Sequence, residues 1–547
     1  MRKTFLALLI CGAMAAPAFG QSRESFDAFR DRARAGFDAF KDKSKEDFEA
    51  FRKKINEDYA SFLETAWKSF EQNMPKKAPD EPKPVPPVVF TPEPEGEPAP
   101  EPKPIEIKRV IKAPTPSPKP QPIVPLGDDV NPNFDLIPIK GSRPVKPKID
   151  SPKVNLEGNK GNLELSGPIR TSPTQPRPAT VGVIFLGTPL NVRWDKQKDS
   201  FKMASASERE VASAWKTLSD GRADNLLRDC LNLREQLELT DWAYLRLLAD
   251  VGAAIAGKDS NEAALLTAWL YCQSGYKMRM ATGQSGRLYL LYASDHTIYN
   301  VGYYNLNGVS FYPYDCSEKT LSISSAKFPK EQPLSLIIAA EPRLSSALSE
   351  PRTLTSRRYS EATLTSRINR NLLDFYSSYP TSYIGGDIMS RWAMYANVPA
   401  SDEITEFVYP ALTKAIEGKD KRRAAEVLLN WVQTAFPYEY DENVWGGDRA
   451  FFADETLFYA ACDCEDRSIL FSRLVRDLLG LDAMLVYYPG HLATAVAFNE
   501  DKPTGDYLIY NGRQFTICDP TYINAGVGRT MPGMDNSQAQ VVLLNRN

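Results

Sequence analysis

The feature that most limits how this chain folds is a long proline-rich segment near its N-terminal end. Of the 42 prolines among 547 residues, 23 lie between Pro75 and Pro152. Proline fixes φ and lacks the amide hydrogen that helices and central strands need, so such a run cannot build a core. We therefore expect a semi-rigid extended linker over residues 75–178 that separates a helical stalk from the globular part of the chain.

Residues 1–20 have the pattern of a secretory signal peptide. Two basic residues precede an apolar run, and Ala18 and Gly20 form a small-x-small cleavage site. We expect a mature protein that is secreted or periplasmic. A lipid anchor at Cys11 is disfavoured because the bulky Ile10 precedes it. No later segment approaches the roughly 20 apolar residues that span a bilayer.

Residues 21–74 carry an 11-residue repeat. Two aromatic rows share this period: Phe26, Phe37, Phe48, Tyr59 and Phe70, and then Phe29, Phe40, Phe51 and Phe62. This period keeps an aromatic stripe on one face of a long helix with slight right-handed supercoiling. We predict a coiled coil that self-associates, or a helix that docks on a helical partner. A membrane-surface helix is disfavoured because acidic residues are mixed into the polar face.

The overall composition excludes several function classes. A net charge of −3 and a pI of about 5.8 give no sign of nucleic-acid binding. Six cysteines after the leader are too few for a disulfide scaffold in a chain of this length. The chain has two histidines, His296 and His491, which limits the choice of metal ligands and catalytic bases.

The patterns after residue 178 predict two α+β domains, over residues 179–345 and 346–547. In the first, β-type runs at 181–186 and 190–194 precede a helical stretch at 208–256. Asn307-Gly308 lies between two further β-type runs and indicates a hairpin. A Ser- and Arg-rich stretch around 344–370 is the expected boundary.

The last domain contains the pattern that points to chemistry. Cys464, within the run Cys-Asp-Cys-Glu-Asp-Arg-Ser, leads into apolar residues at helical spacing, and Gly480 ends this predicted helix. His491 begins a predicted strand. Asn511-Gly512 turns a hairpin whose second strand ends before Asp519.

This order resembles the transglutaminase-like superfamily of papain-fold cysteine enzymes, and most of all its exported bacterial members. The resemblance covers about residues 420–547. It implies that Cys464 is the nucleophile, His491 its general base and acid, and Asp519 the group that orients the imidazole. Asp466 matches an acidic position common just after the nucleophile in that superfamily.

The physical chemistry of these residue types agrees with those roles. A thiol at a helix N-terminus lies at the positive end of the helix dipole, which lowers its pKa toward the thiolate. His491 would deprotonate the thiol, and Asp519 would fix the imidazole tautomer. Backbone amides at the start of the Cys464 helix are candidate oxyanion donors. Trp445 and Asp466 are further candidates for contacting the substrate or the oxyanion.

Several alternatives stay open at this stage. Each of the three residues also has a structural interpretation: a core cysteine, a histidine at a strand start, and an aspartate that begins a turn. Cys462 and Cys518 are either two free thiols or partners in a disulfide that bears on Cys464. A zinc site at Cys462 and Cys464 is disfavoured because no second Cys/His pair accompanies them. We expect no metal and no cofactor.

The middle domain repeats the plan of the last one. A shift of 204 positions places Asn511-Gly512 on Asn307-Gly308 and Asp519 on Asp315. The helix after Cys464 then falls on the helix after Ser260, and Arg287 replaces His491 unless a loop insertion brings His296 into register. Such a copy lacks the nucleophilic thiol and is expected to bind or pack rather than catalyse. Chance similarity of helix–strand–hairpin units is the alternative.

The sequence pattern predicts two alternative functions. The first is an exported cysteine hydrolase or acyltransferase that acts on amide bonds of peptide or cell-envelope substrates through a thioester at Cys464. The second is a non-catalytic envelope adaptor that uses the same fold for binding.

Overall fold

The computed structural model describes residues 23–77, 86–91, 102–123, 126, 129, 134–137, 178–498, 500, 502 and 504–545. The predicted signal peptide, with Cys11, lies outside these residues, as does much of the proline-rich segment. The chain divides into two units, Met1–Lys54 and Ile55–Asn547. The described residues of the first belong to helix α1 (Arg23–Leu63), on which the repeat residues Phe48 and Phe51 are each 50% exposed.

Helix α1 is shorter than the 11-residue repeat predicts. Trp67 is buried and donates its indole N–H to the Leu63 carbonyl at 3.0 Å, just beyond the last turn. The chain then extends into strand β1 (Lys68–Glu71). Phe70 of the repeat therefore lies in a strand, which pairs with the sheet of the middle domain.

Both predicted α+β domains lie within the single compact unit Ile55–Asn547, and we use the names middle domain for residues 179–345 and last domain for residues 346–547. The middle domain combines a β-hairpin, four helices and a sheet. After β2 (Pro104–Ile105) and β3 (Arg109–Ile111), its elements are β4 (Thr180–Phe185), β5 (Thr188–Arg193), α2 (Glu208–Leu218), α3 (Asp224–Gln236), α4 (Asp241–Ala256), α5 (Asn261–Gln273), β6 (Met278–Gly283), β7 (Leu288–Ala293), β8 (Thr297–Ile298), β9 (Tyr304–Leu306), β10 (Val309–Pro313) and β11 (Thr320–Ile323). The antiparallel sheet has the order β1-β11-β6-β7-β10-β9. The predicted helical stretch at 208–256 is thus three helices.

The last domain adds more helices around a second sheet. Its elements are β12 (Arg352–Thr355), β13 (Thr363–Ser366), α6 (Arg370–Ser377), β14 (Ser382–Tyr383), α7 (Ser390–Ala396), a π-helical turn (Ile404–Val408), α8 (Tyr409–Ile416), α9 (Lys421–Ala435), α10 (Asp441–Trp445), α11 (Ala453–Phe458), α12 (Cys464–Leu479), β15 (Ala483–Tyr488), β16 (His491–Val496), β17 (Tyr507–Tyr510), β18 (Arg513–Cys518), a 3₁₀ turn (Asn536–Gln538) and β19 (Gln540–Leu543). The sheet order is β2-β17-β18-β16-β15-β19-β3. The predicted mixed α+β class is confirmed.

The two sheets share one topology. The order β11-β6-β7-β10-β9 in the middle domain matches β19-β15-β16-β18-β17 in the last domain, and all of these pairs are antiparallel. In each domain one helix directly precedes the central hairpin of the sheet. Helix α5 precedes β6 and β7, and helix α12 precedes β15 and β16. Each outer hairpin turns at Asn-Gly, where both residues have positive φ: 56° and 83° at Asn307-Gly308, 48° and 73° at Asn511-Gly512.

Parts of the proline-rich segment belong to the last domain's sheet. Strand β2 pairs in parallel with β17, and β3 pairs in parallel with β19, so the segment supplies both outer strands. Ile105 and Ile111 are buried in these strands, each 4% exposed. Prolines are tolerated there because an outer strand leaves one row of amides unpaired. These described parts are therefore packed structure rather than the free linker that composition predicts.

Helix α12 lies at the centre of the last domain. Leu470, Phe471 and Leu474 on this helix are fully buried in the main apolar cluster of the domain. The helix packs against α9 on one side and β16 on another. Gly480 ends it with a φ of 62°, as the sequence predicts. The first turn of α12 is thereby held against the strand that carries His491.

Candidate active site

Cys464 is the first residue of helix α12, and its side chain is completely buried. The thiol donates a hydrogen bond to Glu465 Oε2, with 3.3 Å between sulfur and oxygen. Helix α12 packs against strand β16, whose first residue is His491. The helix that begins at the thiol therefore lies beside the strand that begins at the predicted base.

His491 and Asp519 form the second half of the site. His491 Nε2 lies 2.8 Å from Asp519 Oδ2, and both side chains are buried. The other carboxylate oxygen, Oδ1, accepts from the backbone amides of Thr521 at 2.8 Å and Tyr522 at 3.2 Å. Since β16 pairs with β18, whose last residue directly precedes Asp519, sheet register sets the distance between imidazole and carboxylate.

Two of the three predicted residues, His491 and Asp519, are joined by a hydrogen bond, and Cys464 begins the helix that packs against the strand of His491. His491 uses Nε2 for Asp519, and its Nδ1 has no hydrogen-bond partner among the described residues. The Cys464 thiol contacts Glu465, and the described residues show no hydrogen bond between its sulfur and His491 Nδ1. Ser468 Oγ donates to the Leu492 carbonyl at 2.8 Å, which fixes helix α12 beside β16.

The charge around the thiol differs from the prediction. Burial raises the pKa of the Cys464 thiol well above its ordinary value, and the neighbouring carboxyls of Glu465 and Asp463 raise this pKa further. The expected lowering by the helix dipole is therefore outweighed. A helix end is worth at most about 2 kcal/mol to a charged group, whereas a buried thiolate loses its hydration and faces carboxylates nearby.

The Asp466 carboxylate holds two backbone segments together. It is completely buried; its Oδ1 accepts from the Phe451 amide at 2.7 Å and its Oδ2 from the Asp463 amide at 3.2 Å. Both oxygens are thus used to join the loop before α11 to the start of α12. This arrangement favours a role in holding the Cys464 helix over the predicted contact with substrate or oxyanion.

Trp445 ends helix α10 and is 36% exposed. Its ring packs edge-on against Tyr459 with 4.8 Å between centroids, and against Phe451 with 5.8 Å. The Arg449 guanidinium lies 4.3 Å from its ring centroid. Trp445 therefore belongs to a surface aromatic cluster, and these contacts account for its position without a catalytic role.

An acidic cluster next to the thiol was not predicted. One ligand atom from each of Asp441, Asp448 and Glu465 lies within 4.8 Å of the others, and the same holds for Asp463, Cys464 and Glu465. Burial, with Glu465 nearby, raises the pKa of Asp441 to about 8. These are the described residues that offer a place for a metal ion, and no motif in the sequence indicates such a site.

Two buried positioning residues were also missed. Gln433 of helix α9 donates from Nε2 to the carbonyls of Asp519, Tyr522 and Ala525 at 3.0, 2.8 and 3.1 Å. Arg467 donates to the Phe436 carbonyl at 2.8 Å. Arg467 stands in the Cys464 motif and was visible there, whereas Gln433 lies within an apolar-periodic helix that marks it only as a core position.

Cys462 and Cys518 are separate free thiols, as are the other described cysteines. Both are buried in the same apolar cluster as helix α12. Burial raises the pKa of Cys462 to about 11. The disulfide that we considered from sequence is not formed, and the pair acts as small core residues.

The middle domain has a cavity at the positions that align with the predicted triad of the last domain. Ser260, Arg287 and Asp315, the residues that the shift of 204 positions aligns with the triad, all line one cavity of about 190 Å³. His296 lies elsewhere: it is buried, and its Nε2 accepts from the Leu336 amide at 3.1 Å. Burial lowers the pKa of His296 to about 4. Of the two candidates for the aligned position, the cavity contains Arg287.

Comparisons with protein-family models, curated proteins and solved structures find no match for this chain. Among the described residues, no helix is both long enough and apolar enough to cross a bilayer. Any functional inference therefore depends on the geometry of the site itself.

Proposed function

We propose that this chain is a cysteine hydrolase or acyltransferase of the transglutaminase-like type, with a papain-like domain over residues 346–547. The observation that carries the proposal is the His491–Asp519 hydrogen bond, which leaves Nδ1 of a buried imidazole unpartnered on the strand that packs against the Cys464 helix. A base needs one ring nitrogen free for the nucleophile and the other held by an orienting group.

The chemistry would run through a thioester. His491 takes the thiol proton, and Cys464 Sγ attacks the carbonyl carbon of an amide. The C–N bond breaks as the imidazolium returns the proton to the leaving amine. Water or a second amine then attacks the thioester carbon and releases the thiol, which gives hydrolysis in the first case and acyl transfer in the second.

We propose peptide or cell-envelope material as the substrate, because the signal-peptide pattern of residues 1–20 predicts export. Amide bonds of peptides are the bonds that thiol acyl chemistry of this kind opens. The protein would then act outside the cytoplasm.

A second candidate is a non-catalytic envelope adaptor with the same fold. The observation in its favour is that the Cys464 thiol is completely buried and donates to Glu465 instead of His491. The middle domain, which shares the sheet topology without a thiol at Ser260, is consistent with binding by this fold.

Labelling with a peptide chloroacetamide separates the two candidates. If the site is active, mass spectrometry will show alkylation of Cys464 at least tenfold faster than of the other thiols. The variant His491→Asn, checked for an unchanged unfolding midpoint, should reduce that rate to the level of the others. Cys316→Ala, at a partly exposed cysteine, is the matched control and should leave Cys464 labelling unchanged. Equal, slow labelling of all thiols would favour the adaptor.

A further inference from the structure

The acidic cluster is built from four carboxyls around the Cys464 thiol: Asp441, Asp448, Asp463 and Glu465. Glu465 belongs to both groups of mutually close ligand atoms, so it links the Asp441–Asp448 side of the cluster to the thiol. Its Oε2 lies 3.3 Å from Cys464 Sγ. Any cation held by Glu465 therefore lies within a few bond lengths of the nucleophile.

Two oxygens of the cluster receive no hydrogen bond from a donor group of the described residues, and the carboxyls that carry them, Asp463 and Glu465, can hydrogen-bond each other when one is protonated. The two oxygens are Asp463 Oδ1 and Glu465 Oε1, and both are buried. Both side chains belong to residues that are 1% exposed. A buried carboxylate oxygen without a donor costs several times the net value of an ordinary hydrogen bond. Such a pair marks a place that a donor from outside the chain can fill.

Among the described residues, the cluster contains more carboxyls than cationic side chains. Arg391 pairs with Asp448 through both terminal nitrogens, with one contact at 3.2 Å. The charge of Arg391 also acts on Asp441 and Glu465. Asp448 is also the more exposed end, since its side chain is 13% exposed.

We propose that this cluster binds a cation that is part of the substrate, namely the primary ammonium of an acyl residue with a free α-amino group. This inference rests on the proposed function, and it narrows the substrates to peptides or amides whose N-terminal residue is unblocked. In the thioester, the α-nitrogen is three bonds from the sulfur and therefore within about 4 Å of it. The ammonium would then lie close to the Glu465 carboxylate, whose Oε2 is 3.3 Å from the same sulfur.

The arrangement gives the carboxylates a use in catalysis. A carboxylate beside the thiol disfavours the thiolate, so the empty site holds Cys464 in its unreactive form. The ammonium of a bound substrate offsets that charge and supplies N–H donors for the unpartnered oxygens. The thiol would thus become reactive only when the correct substrate is in place. N-acetylated substrates carry neither the charge nor the three donors.

The test compares two substrates that differ in the ammonium alone, alanyl-aminomethylcoumarin and its N-acetyl form. The free amine should be cleaved with a kcat/KM at least tenfold higher, and Asp441→Asn and Glu465→Gln should each reduce this preference at least threefold. Asp374→Asn, an exposed aspartate on helix α6, is the control and should keep the preference. Equal cleavage of both substrates overturns the inference and leaves the proposed function intact.

A binding measurement keeps the inference testable if neither substrate is cleaved. Calorimetry with Cys464→Ala compares alaninamide with N-acetylalaninamide, and binding of the first alone, lost in Asp441→Asn, supports the ammonium site even where the enzymatic proposal fails. Absence of binding by alaninamide overturns it. The same titration with Ca²⁺, Mg²⁺ or Zn²⁺ tests whether the cluster binds a metal ion instead of an ammonium group. A metal ion that binds, depends on Asp441 and displaces alaninamide would assign the cluster to the metal instead.

Discussion

Gln433 donates its side-chain amide to the backbone carbonyl of Asp519, with 3.0 Å between the two atoms. The same nitrogen reaches two more carbonyls of the following loop, and Gln433 Oε1 accepts from the Asn524 amide at 3.0 Å. Helix α9 thereby holds the loop that presents Asp519 to His491. The orientation of the imidazole depends on a residue that contacts neither the imidazole nor the thiol.

Replacing Gln433 by methionine should weaken this loop. Methionine has a similar length and no N–H, so buried carbonyls of the loop lose their donor, at a cost of about 1–3 kcal/mol. Urea unfolding measures the loss, and hydrogen exchange should rise in residues 519–525. Gln284→Met, at an exposed position in the middle domain, should change neither. If hydrogen exchange of residues 519–525 is the same in Gln433→Met as in the parent, Gln433 does not hold this loop.

Replacing Glu465 by glutamine should make Cys464 more acidic. Glu465 is the first of the charged neighbours that raise the pKa of this thiol, so its removal increases the thiolate fraction at any given pH below that pKa. Iodoacetamide alkylation of Cys464 at pH 8 should therefore accelerate several-fold, as resolved by peptide mass spectrometry. Cys316 in the same sample is the internal control. A constant ratio of the two rates would show that Glu465 does not set the reactivity.

Alanine at Ile111 should destabilise the last domain, although this residue lies in the proline-rich segment. Ile111 is buried in the outer strand β3, and truncation of a buried isoleucine costs about 2–5 kcal/mol. The neighbouring Val110→Ala, at a position 38% exposed, is the matched control and should cost much less. If both variants unfold at the same urea concentration as the parent, strand β3 does not contribute to stability.

Asp454 should make stability depend on pH. Burial raises the pKa of this carboxyl to about 7, while Ser401 donates a hydrogen bond of 2.6 Å to it. The folded state therefore binds a proton that the unfolded chain releases near pH 4. This contribution to stability is complete below that pH and is lost as pH rises toward 7, by about 1 kcal/mol per pH unit.

The variant Asp454→Asn keeps the acceptor for Ser401 and removes the titration. Its free energy of unfolding, compared with the parent at pH 5 and pH 8, should fall less with rising pH. Asp374→Asn is again a suitable exposed control. The same slope in parent and variant would mean that the Asp454 carboxyl titrates normally.

Local signals predicted much of the site. Cys464 starts its helix and Gly480 ends it, because N-terminal polar residues, apolar spacing and a left-handed glycine act over a few residues. The Asn-Gly turns and the strand that begins at His491 were predicted for the same reason. Their order along the chain was enough to bring His491 and Asp519 together in an antiparallel sheet.

What sequence did not predict depends on residues far apart in the chain. Asp441 and Asp448 join Glu465 only after α10 and its loop fold over the start of α12, so the charge around the thiol was misjudged. Strands β2 and β3 were missed because a high proline content predicts a segment that pairs with nothing. An outer strand tolerates proline, since it needs few paired amides, and one or two buried isoleucines are enough to hold it on the sheet.

The two outer strands of the last domain also set an order of events. Residues 104–111 leave the ribosome long before β17 and β19, the strands that they flank. Until β17 and β19 are made, the two strands lack the neighbours with which they pair in the folded protein. The two outer strands are thus synthesised first and pair last. A chain that starts between residues 111 and 178 would lack them, and β17 and β19 would then be exposed edge strands that can pair with other molecules.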